Sequence, residues 1–316
     1  MDNMDSNGNV VGRFAPSPSG RMHLGNVFTA LISWLSVRSR GGKWVLRIED
    51  LDPQRSRQEY ARQIEDDLRW LGLDWDEGGI DNMGDNGPYM QSRRDSFYLD
   101  ALGRLNDLRL TYRCHCTRAD IMATQAPHES DGRVVYHGTC RPCAEPPFDS
   151  HSDGSGATRL YVPDEDFVFT DRVFGEHSVN LTRHCGDFVV RRADGAWAYQ
   201  LAVVVDDALM GVTEVVRGGD LLLSTAQQLY LYRLLGYEAP RFAHLPLVSN
   251  AAGQRLSKRD QSMSMDALRQ KYSPEELIGK IASMAHIIDR YEPCTAKSLI
   301  GVFDWHNVPA KESIII

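Results

Sequence analysis

The 316 residues are 42% hydrophobic and 25% charged, a balance that suits a globular protein of one large domain with insertions, or of two domains. A net charge of −8 argues against a protein that coats nucleic acid indiscriminately. Residues 11–60 hold eight Arg or Lys against four Asp or Glu, and residues 61–90 hold two against eight, so any contact with a phosphate backbone must be local. The first ten residues carry two acids and no apolar run, and eighteen consecutive apolar residues occur nowhere, so neither a secretory signal nor a membrane anchor is expected.

Val10 to Phe14 reads as a buried strand, and Pro16, Pro18 and Gly20 force the residues after it out of regular structure. From Gly25 to about Arg38 the apolar residues Val27, Leu31, Trp34 and Leu35 recur at helical spacing, and Gly41-Gly42 ends the segment. Trp44, Leu46 and Ile48 alternate with Val45, Arg47 and Glu49 at strand spacing. The result is a β-loop-α-β unit, the opening of a nucleotide-binding α/β fold. Tyr60 to Leu71 and Asp95 to Leu108 have helical periodicity and flank a Gly/Asp/Asn-rich stretch from Asp74 to Gly87. Cys114 to about Gly156 lacks a long period and ends in a low-complexity run, as an inserted subdomain with a flexible exit would. Regular structure resumes with Phe188 to Arg191. Tyr199 to Asp206 then contains the run from Leu201 to Val205, which suits a strand buried on both faces. Val215-Val216 leads into Arg217, and Asp220 is placed to cap a helix running to Leu235.

The first loop places Arg13, Phe14, Ala15, Pro16 and Ser17 ahead of His23, Gly25 and Asn26. A strand feeding a Pro/Gly-rich loop into a helix N-terminus offers backbone N–H groups and a positive dipole end to an anion, with phosphate the obvious candidate. His23 adds a side-chain donor, and Gly25 lets a flat ligand approach the backbone. Six cysteines, four of them between Cys114 and Cys143, indicate a metal cluster rather than a disulfide framework, and with it a reducing cytosolic compartment. Ligand chemistry alone selects Cys114, Cys116, Cys140 and Cys143 as four soft donors. Cys185 and Cys294 stand alone and read as core thiols.

The string from Arg13 through Gly20, followed by His23-Leu24-Gly25-Asn26, resembles the first signature of the glutamyl-type class I aminoacyl-tRNA synthetases. The segment Gly253 to Asp260 resembles their mobile ATP loop, with Arg255 at its first basic place and Lys258 at its second. The resemblance implies that His23, Gly25 and Asn26 bind ATP together with Ser257 and Lys258. It also implies that Lys258 stabilises the charge that builds as pyrophosphate leaves. By the same likeness, Arg13, Phe14, Ala15, Pro16 and Ser17 bind glutamate, Glu49 holds its ammonium, and Tyr199 and Arg217 touch the amino acid. Two carboxylates and one ammonium call for two cations and one anion, which Arg13, Arg217 and Glu49 supply. Cys114, Cys116, Tyr136 and Cys140 resemble a structural zinc site of this family in which a tyrosine oxygen completes three thiolates; Tyr136 and Cys143 therefore compete for the fourth position.

The expected architecture is α/β: a class I synthetase Rossmann-type parallel sheet with helices on both faces, an inserted zinc-binding subdomain and a short helical C-terminal region. The divisions fall at 1–112, 113–186, 187–262 and 263–316, the second being the insertion on which a tRNA acceptor would dock. The implied reaction is activation of L-glutamate with ATP and Mg²⁺ to glutamyl-adenylate, with no protein nucleophile. Only 58 residues follow Lys258, too few for an anticodon-binding domain. That points to the members of the family that pass glutamate, without needing tRNA for activation, to queuosine at the wobble position of tRNA(Asp). A monomer is expected. The alternatives are a truncated synthetase charging tRNA(Glu) and an inactive synthetase-like regulator.

Overall fold

The computed structural model describes residues 10–123, 135–143, 146–148, 155–249 and 263–315. The first half runs β1 (Val11–Phe14), α1 (Leu24–Arg38), β2 (Lys43–Leu46), α2 (Gln58–Trp70), β3 (Glu77–Gly78), α3 (Asp95–Asp107), β4 (Thr111–Cys114) and α4 (Arg118–Ala123). It continues with β5 (Ala157–Leu160), β6 (Asp166–Asp171), β7 (Gly175–Asn180), α5 (Leu181–His184) and β8 (Phe188–Arg191). The last part holds α6 (Tyr199–Leu209), β9 (Glu214–Gly218), α7 (Ser224–Leu235), β10 (Arg241–Leu245), β11 (Leu247–Ser249), α8 (Met265–Lys271), α9 (Pro274–Met284) and β12 (Ser313–Ile315).

Five strands form one parallel sheet in the order β10-β9-β1-β2-β3. Parallel strands joined through helices need apolar cover on both faces, and two hydrophobic cores provide it. One gathers α1, α2 and the C-terminal α8 and α9, with Phe28, Leu31, Leu68 and Ile281 in its interior. The other gathers α3, α6 and α7, with Tyr98, Val204 and Leu231. α1 begins with a reciprocal cap: His23 Nδ1 accepts from the Gly25 N–H, while the Asn26 side chain accepts from the His23 N–H. At Gly12, a Cβ would lie 2.5 Å from a Val37 methyl, so the close approach of α1 to β1 requires glycine there.

The loop after β1 runs beside the extension of β2. Arg47 N–H donates to Phe14 O at 3.0 Å and Glu49 N–H to Pro16 O at 3.0 Å. Arg13 to Ser17 and Glu49 are thereby held side by side at the carboxyl ends of the strands. An antiparallel sheet β4-β5-β8 carries the inserted region, and the β6-β7 hairpin packs on β10 and α7. β12 returns to pair in parallel with β11, next to the end of β10.

Three expectations fail. Regular structure resumes well before Phe188, with β5, β6, β7 and α5 lying between Ala157 and His184. Tyr199 to Asp206 is helical, part of α6, rather than a strand. α6 is packed against α3 and α7, so nearly its whole circumference from Leu201 to Asp207 is buried and no polar stripe marks its period. Three consecutive valines then bias a local reading toward a strand, since a short apolar run does not distinguish the two. Asp220 does not cap the helix to Leu235. It lies in a 3₁₀ turn, Gly219–Leu221, and α7 starts at Ser224 with Leu223 at its N-cap and no side-chain cap.

Asp206 locks α6 to the neighbouring segment. Its fully buried carboxylate accepts from Arg94 Nε at 2.5 Å, Gln91 Nε2 at 2.7 Å and the Tyr98 hydroxyl at 2.9 Å. Asp206→Ala strands a buried guanidinium and two further donors, and should destabilise the protein by about 3–5 kcal/mol in chemical denaturation. A loss below about 1 kcal/mol would show that this network is not a determinant of stability.

Candidate active site

A cavity of about 440 Å³ opens at the carboxyl ends of β1 and β9, the usual location of ligands in an open parallel sheet. Its wall contains Arg13, Phe14, Ala15, Pro16, Ser17, Asn26, Glu49, Tyr199 and Arg217, which come from four separate parts of the sequence. His23 and Gly25 are not in that wall but at the α1 N-terminus beside it. Because His23 Nδ1 accepts from Gly25, the proton of the neutral ring resides on Nε2. Ser257 and Lys258 lie outside the described residues. The chain on the far side of that loop returns to the same helix end, where Ser264 bridges to His23 and Met265 N–H donates to Met22 O at 2.9 Å.

The charges of the cavity are not equivalent. Asp207, in α6, receives Arg13 Nε at 3.3 Å and Arg47 Nη1 at 2.6 Å. Burial opposes its ionisation, but Arg47 and Arg13 outweigh it and hold the carboxyl below the usual range. Arg47 is wholly buried and also reaches Glu49 at 3.1 Å. Burial raises the Glu49 pKa, opposed by Arg47 and Arg13. Glu49 is thus a carboxylate short of positive charge, suited to an incoming ammonium. Arg217 has the opposite need. Its partners are His244 Nε2 at 2.9 Å, Gln228 Oε1 at 2.7 Å, Thr225 Oγ1 at 2.9 Å and Leu221 O at 3.4 Å, all neutral acceptors. Burial lowers its pKa, as for any charge taken from water without a counter-ion. Tyr199 completes the wall, its pKa raised by burial and by Glu49. Together these groups can take a small zwitterion bearing an additional anion.

A second cavity, of about 510 Å³, adjoins the first through Ser17, Glu49 and Tyr199 and is otherwise lined by residues such as Asp52, Arg55, Gln91, Arg192 and Trp197. The shared wall means that a reactant in each cavity would meet at its partition.

In the inserted region the sulfurs of Cys114, Cys116 and Cys140 all lie within 4.8 Å of one another. Tyr136 points its hydroxyl at the same place, 3.5 Å from Cys114 Sγ, and accepts from the Cys140 N–H at 2.7 Å. Cys143 is exposed and outside this group. Tetrahedral zinc with bonds of about 2.3 Å separates its sulfurs by roughly 3.8 Å, so the donor set fits such an ion with little rearrangement. Cys185 and Cys294 are unpaired by disulfide and pack against the two main cores, as expected of single thiols.

Sequence reasoning gave no role to Arg47, Asp207 or His244, which contact the residues it did select, or to Asp171, which contacts His244. One signal was available: Asp206-Asp207 interrupts an apolar run, and buried carboxylates need partners.

The chain matches the family model "tRNA synthetases class I (E and Q), catalytic domain" over residues 9–315. It is 49% identical over 306 residues to a glutamyl-Q tRNA(Asp) synthetase of Symbiobacterium thermophilum, covering 95% of this chain and 94% of that one. It is 46% identical over 306 residues to the protein of that name from Nitratidesulfovibrio vulgaris, covering 96% and 94%. A solved glutamate-tRNA synthetase from Elizabethkingia anophelis superposes with a TM-score of 0.83 at 29% identity, over 98% of this chain and 68% of that one. The family model and the parallel sheet agree, and the chain belongs to the class I tRNA synthetases of the glutamate and glutamine type, within their catalytic domain.

Proposed function

We propose that the protein activates L-glutamate with ATP and transfers it to queuosine at the wobble position of tRNA(Asp); its relatives are named glutamyl-Q tRNA(Asp) synthetases. It is a ligase-type enzyme of the synthetase family. The observation that carries the reading is the unequal charge in the cavity: Arg217 without a counter-ion among the described residues, and Glu49 with too little positive charge, on one wall with Arg13. Glutamate supplies what each lacks. Glutamine, with no side-chain charge, leaves one buried cation unmatched.

In the first step a glutamate α-carboxylate oxygen attacks the α-phosphorus of ATP, the bond to the bridging oxygen breaks, and pyrophosphate leaves. His23, Gly25 and Asn26 at the α1 N-terminus, with Ser257 and Lys258 from the loop, are assigned to the nucleotide, and Mg²⁺ is expected on its phosphates. In the second step an acceptor hydroxyl attacks the carbonyl of the mixed anhydride and AMP leaves. We assign the acceptor nucleoside to the second cavity, because only the partition of Ser17, Glu49 and Tyr199 separates it from the amino acid. No described helix is long and apolar enough to cross a membrane, and a cytosolic monomer is the form assigned here.

Glutamate-dependent ATP–pyrophosphate exchange should proceed without tRNA, and transfer should require queuosine-containing tRNA(Asp). Exchange that begins only on adding tRNA(Glu), or equal labelling of queuosine-free tRNA(Asp), would sink the assignment. Arg55→Ala, which alters an exposed residue of the second cavity, should reduce transfer about tenfold and leave exchange within about twofold. An equal loss in both steps would remove the acceptor from that cavity.

We assign structural zinc to Cys114, Cys116, Cys140 and Tyr136, where it would hold the inserted region in shape and take no part in the chemistry. Metal analysis should find the zinc content of Cys143→Ser unchanged and that of Cys140→Ser lost. Loss of zinc from Cys143→Ser as well as from Cys140→Ser would give Cys143 the fourth position.

A further inference from the structure

Arg217 sits in β9, and its neighbour across the parallel ladder is His244 in β10. The arginine can donate Nε–H to His244 Nε2 only if that nitrogen carries a lone pair, which requires the ring proton to be on Nδ1. Asp171, the last residue of β6, provides the reason for that tautomer: its Oδ2 lies 2.7 Å from His244 Nδ1. Burial, and then Arg217, keep the imidazole below its ordinary pKa against the pull of Asp171, so the ring is neutral.

The aspartate has no freedom to do otherwise. Its Oδ1 accepts from the N–H groups of Val173 at 3.0 Å and Phe174 at 2.9 Å, and its Oδ2 from the His244 N–H at 3.0 Å. Asp171 and His244 are both almost entirely buried. The imidazole is therefore interposed between a carboxylate and a guanidinium that could otherwise have formed a direct ion pair. A direct pair would place a resident anion where a substrate carboxylate has to bind.

We propose that Asp171 and His244 are positioning residues for glutamate recognition: Asp171 fixes the Nδ1–H tautomer, and the Nε2 lone pair orients Arg217 without neutralising it. The inference rests on the reading of Arg217 as the partner of a substrate carboxylate, and it adds a second rank of residues that no contact with the substrate would reveal.

Asp171→Asn is nearly isosteric and separates the proposal from a simple packing role. With its oxygen kept on the Val173 and Phe174 N–H groups, the amide turns its NH₂ toward His244 Nδ1 and the His244 N–H, an orientation that the tautomer measurement verifies. That nitrogen must then accept, the proton moves to Nε2, and an N–H faces an N–H of Arg217. The expected result is a rise of about tenfold or more in the KM for glutamate in pyrophosphate exchange, with the KM for ATP within about twofold. In ¹⁵N spectra of histidine-labelled protein, the signals assigned to His244 by their loss in His244→Gln should change from the Nδ1–H to the Nε2–H pattern. Once the tautomer has changed, an unchanged glutamate KM, or equal increases for glutamate and ATP, overturns the proposal, as does a raised glutamate KM with the tautomer unchanged. Should Asp171→Asn not fold, or keep both the tautomer and the glutamate KM, His244→Leu and His244→Gln replace it. The leucine variant should raise the glutamate KM at least as much, and the glutamine variant, which keeps an acceptor for Arg217, should recover part of the loss; identical kinetics in the two would refute the positioning role. Failure of the wild-type protein to exchange with glutamate would refute the substrate reading alone, since the tautomer measurement needs no substrate.

Discussion

The arrangement of this protein depends on one buried carboxylate. Asp207 receives Arg13 from β1 and Arg47 from the end of β2, and so ties α6 to two adjacent strands at the point where the sheet opens into a cavity. Two guanidinia and a carboxylate in a nearly dry environment hold their geometry because the alternative, an unmatched charge away from water, costs several kcal/mol per ion. The interaction lends the site rigidity. It also sets the charge state of everything near it, because with Arg13 and Arg47 already sharing Asp207, Glu49 is left with part of one arginine.

The parallel sheet explains why residues from four regions converge. Each strand ends on the same side, so the loops after β1, β2 and β9 meet there, and the N-termini of α1 and α6 bring Asn26 and Tyr199 to the same place. The backbone bonds from Arg47 and Glu49 to Phe14 and Pro16 extend the β1–β2 ladder past the strands themselves. A loop rich in proline, which cannot form regular structure, is in this way given a fixed path beside a strand. The inserted region is held differently, by a small antiparallel sheet and a compact sulfur-lined cluster that includes Tyr112 and Phe148. A cluster of that size has little apolar area to bury, which is a physical reason for adding a metal.

Much of the site was legible in the sequence because its residues occur in short local strings: Arg13 to Ser17, His23 to Asn26, and Arg47 to Glu49 each occupy one loop or strand end. The α1 boundaries were legible for the same reason, since its cap residues and the glycines after it are local signals. What escaped was non-local. Nothing near Asp171 announces that it will meet His244, 73 residues away, and Asp207 meets Arg13 across 194 residues. The helix α6 was misread because burial on all sides erased its period. The Asp220 cap was misread because a 3₁₀ turn intervened where one continuous helix would have begun. In each case tertiary surroundings decided what local pattern could not.

The neutral cradle of Arg217 has a consequence for the empty protein. A buried cation whose hydrogen-bond partners among the described residues are all neutral leaves the folded state less stable than it would be with a resident counter-ion, and that deficit is relieved when an anion of the right length arrives. The same free energy is expressed twice, once as tightness of binding and once as resistance to heat, because a ligand that binds only the native form shifts the unfolding equilibrium by mass action. In a cell where the free amino acid is plentiful, the unoccupied conformation would be the minor species, and the durability of the protein would follow the supply of its own substrate.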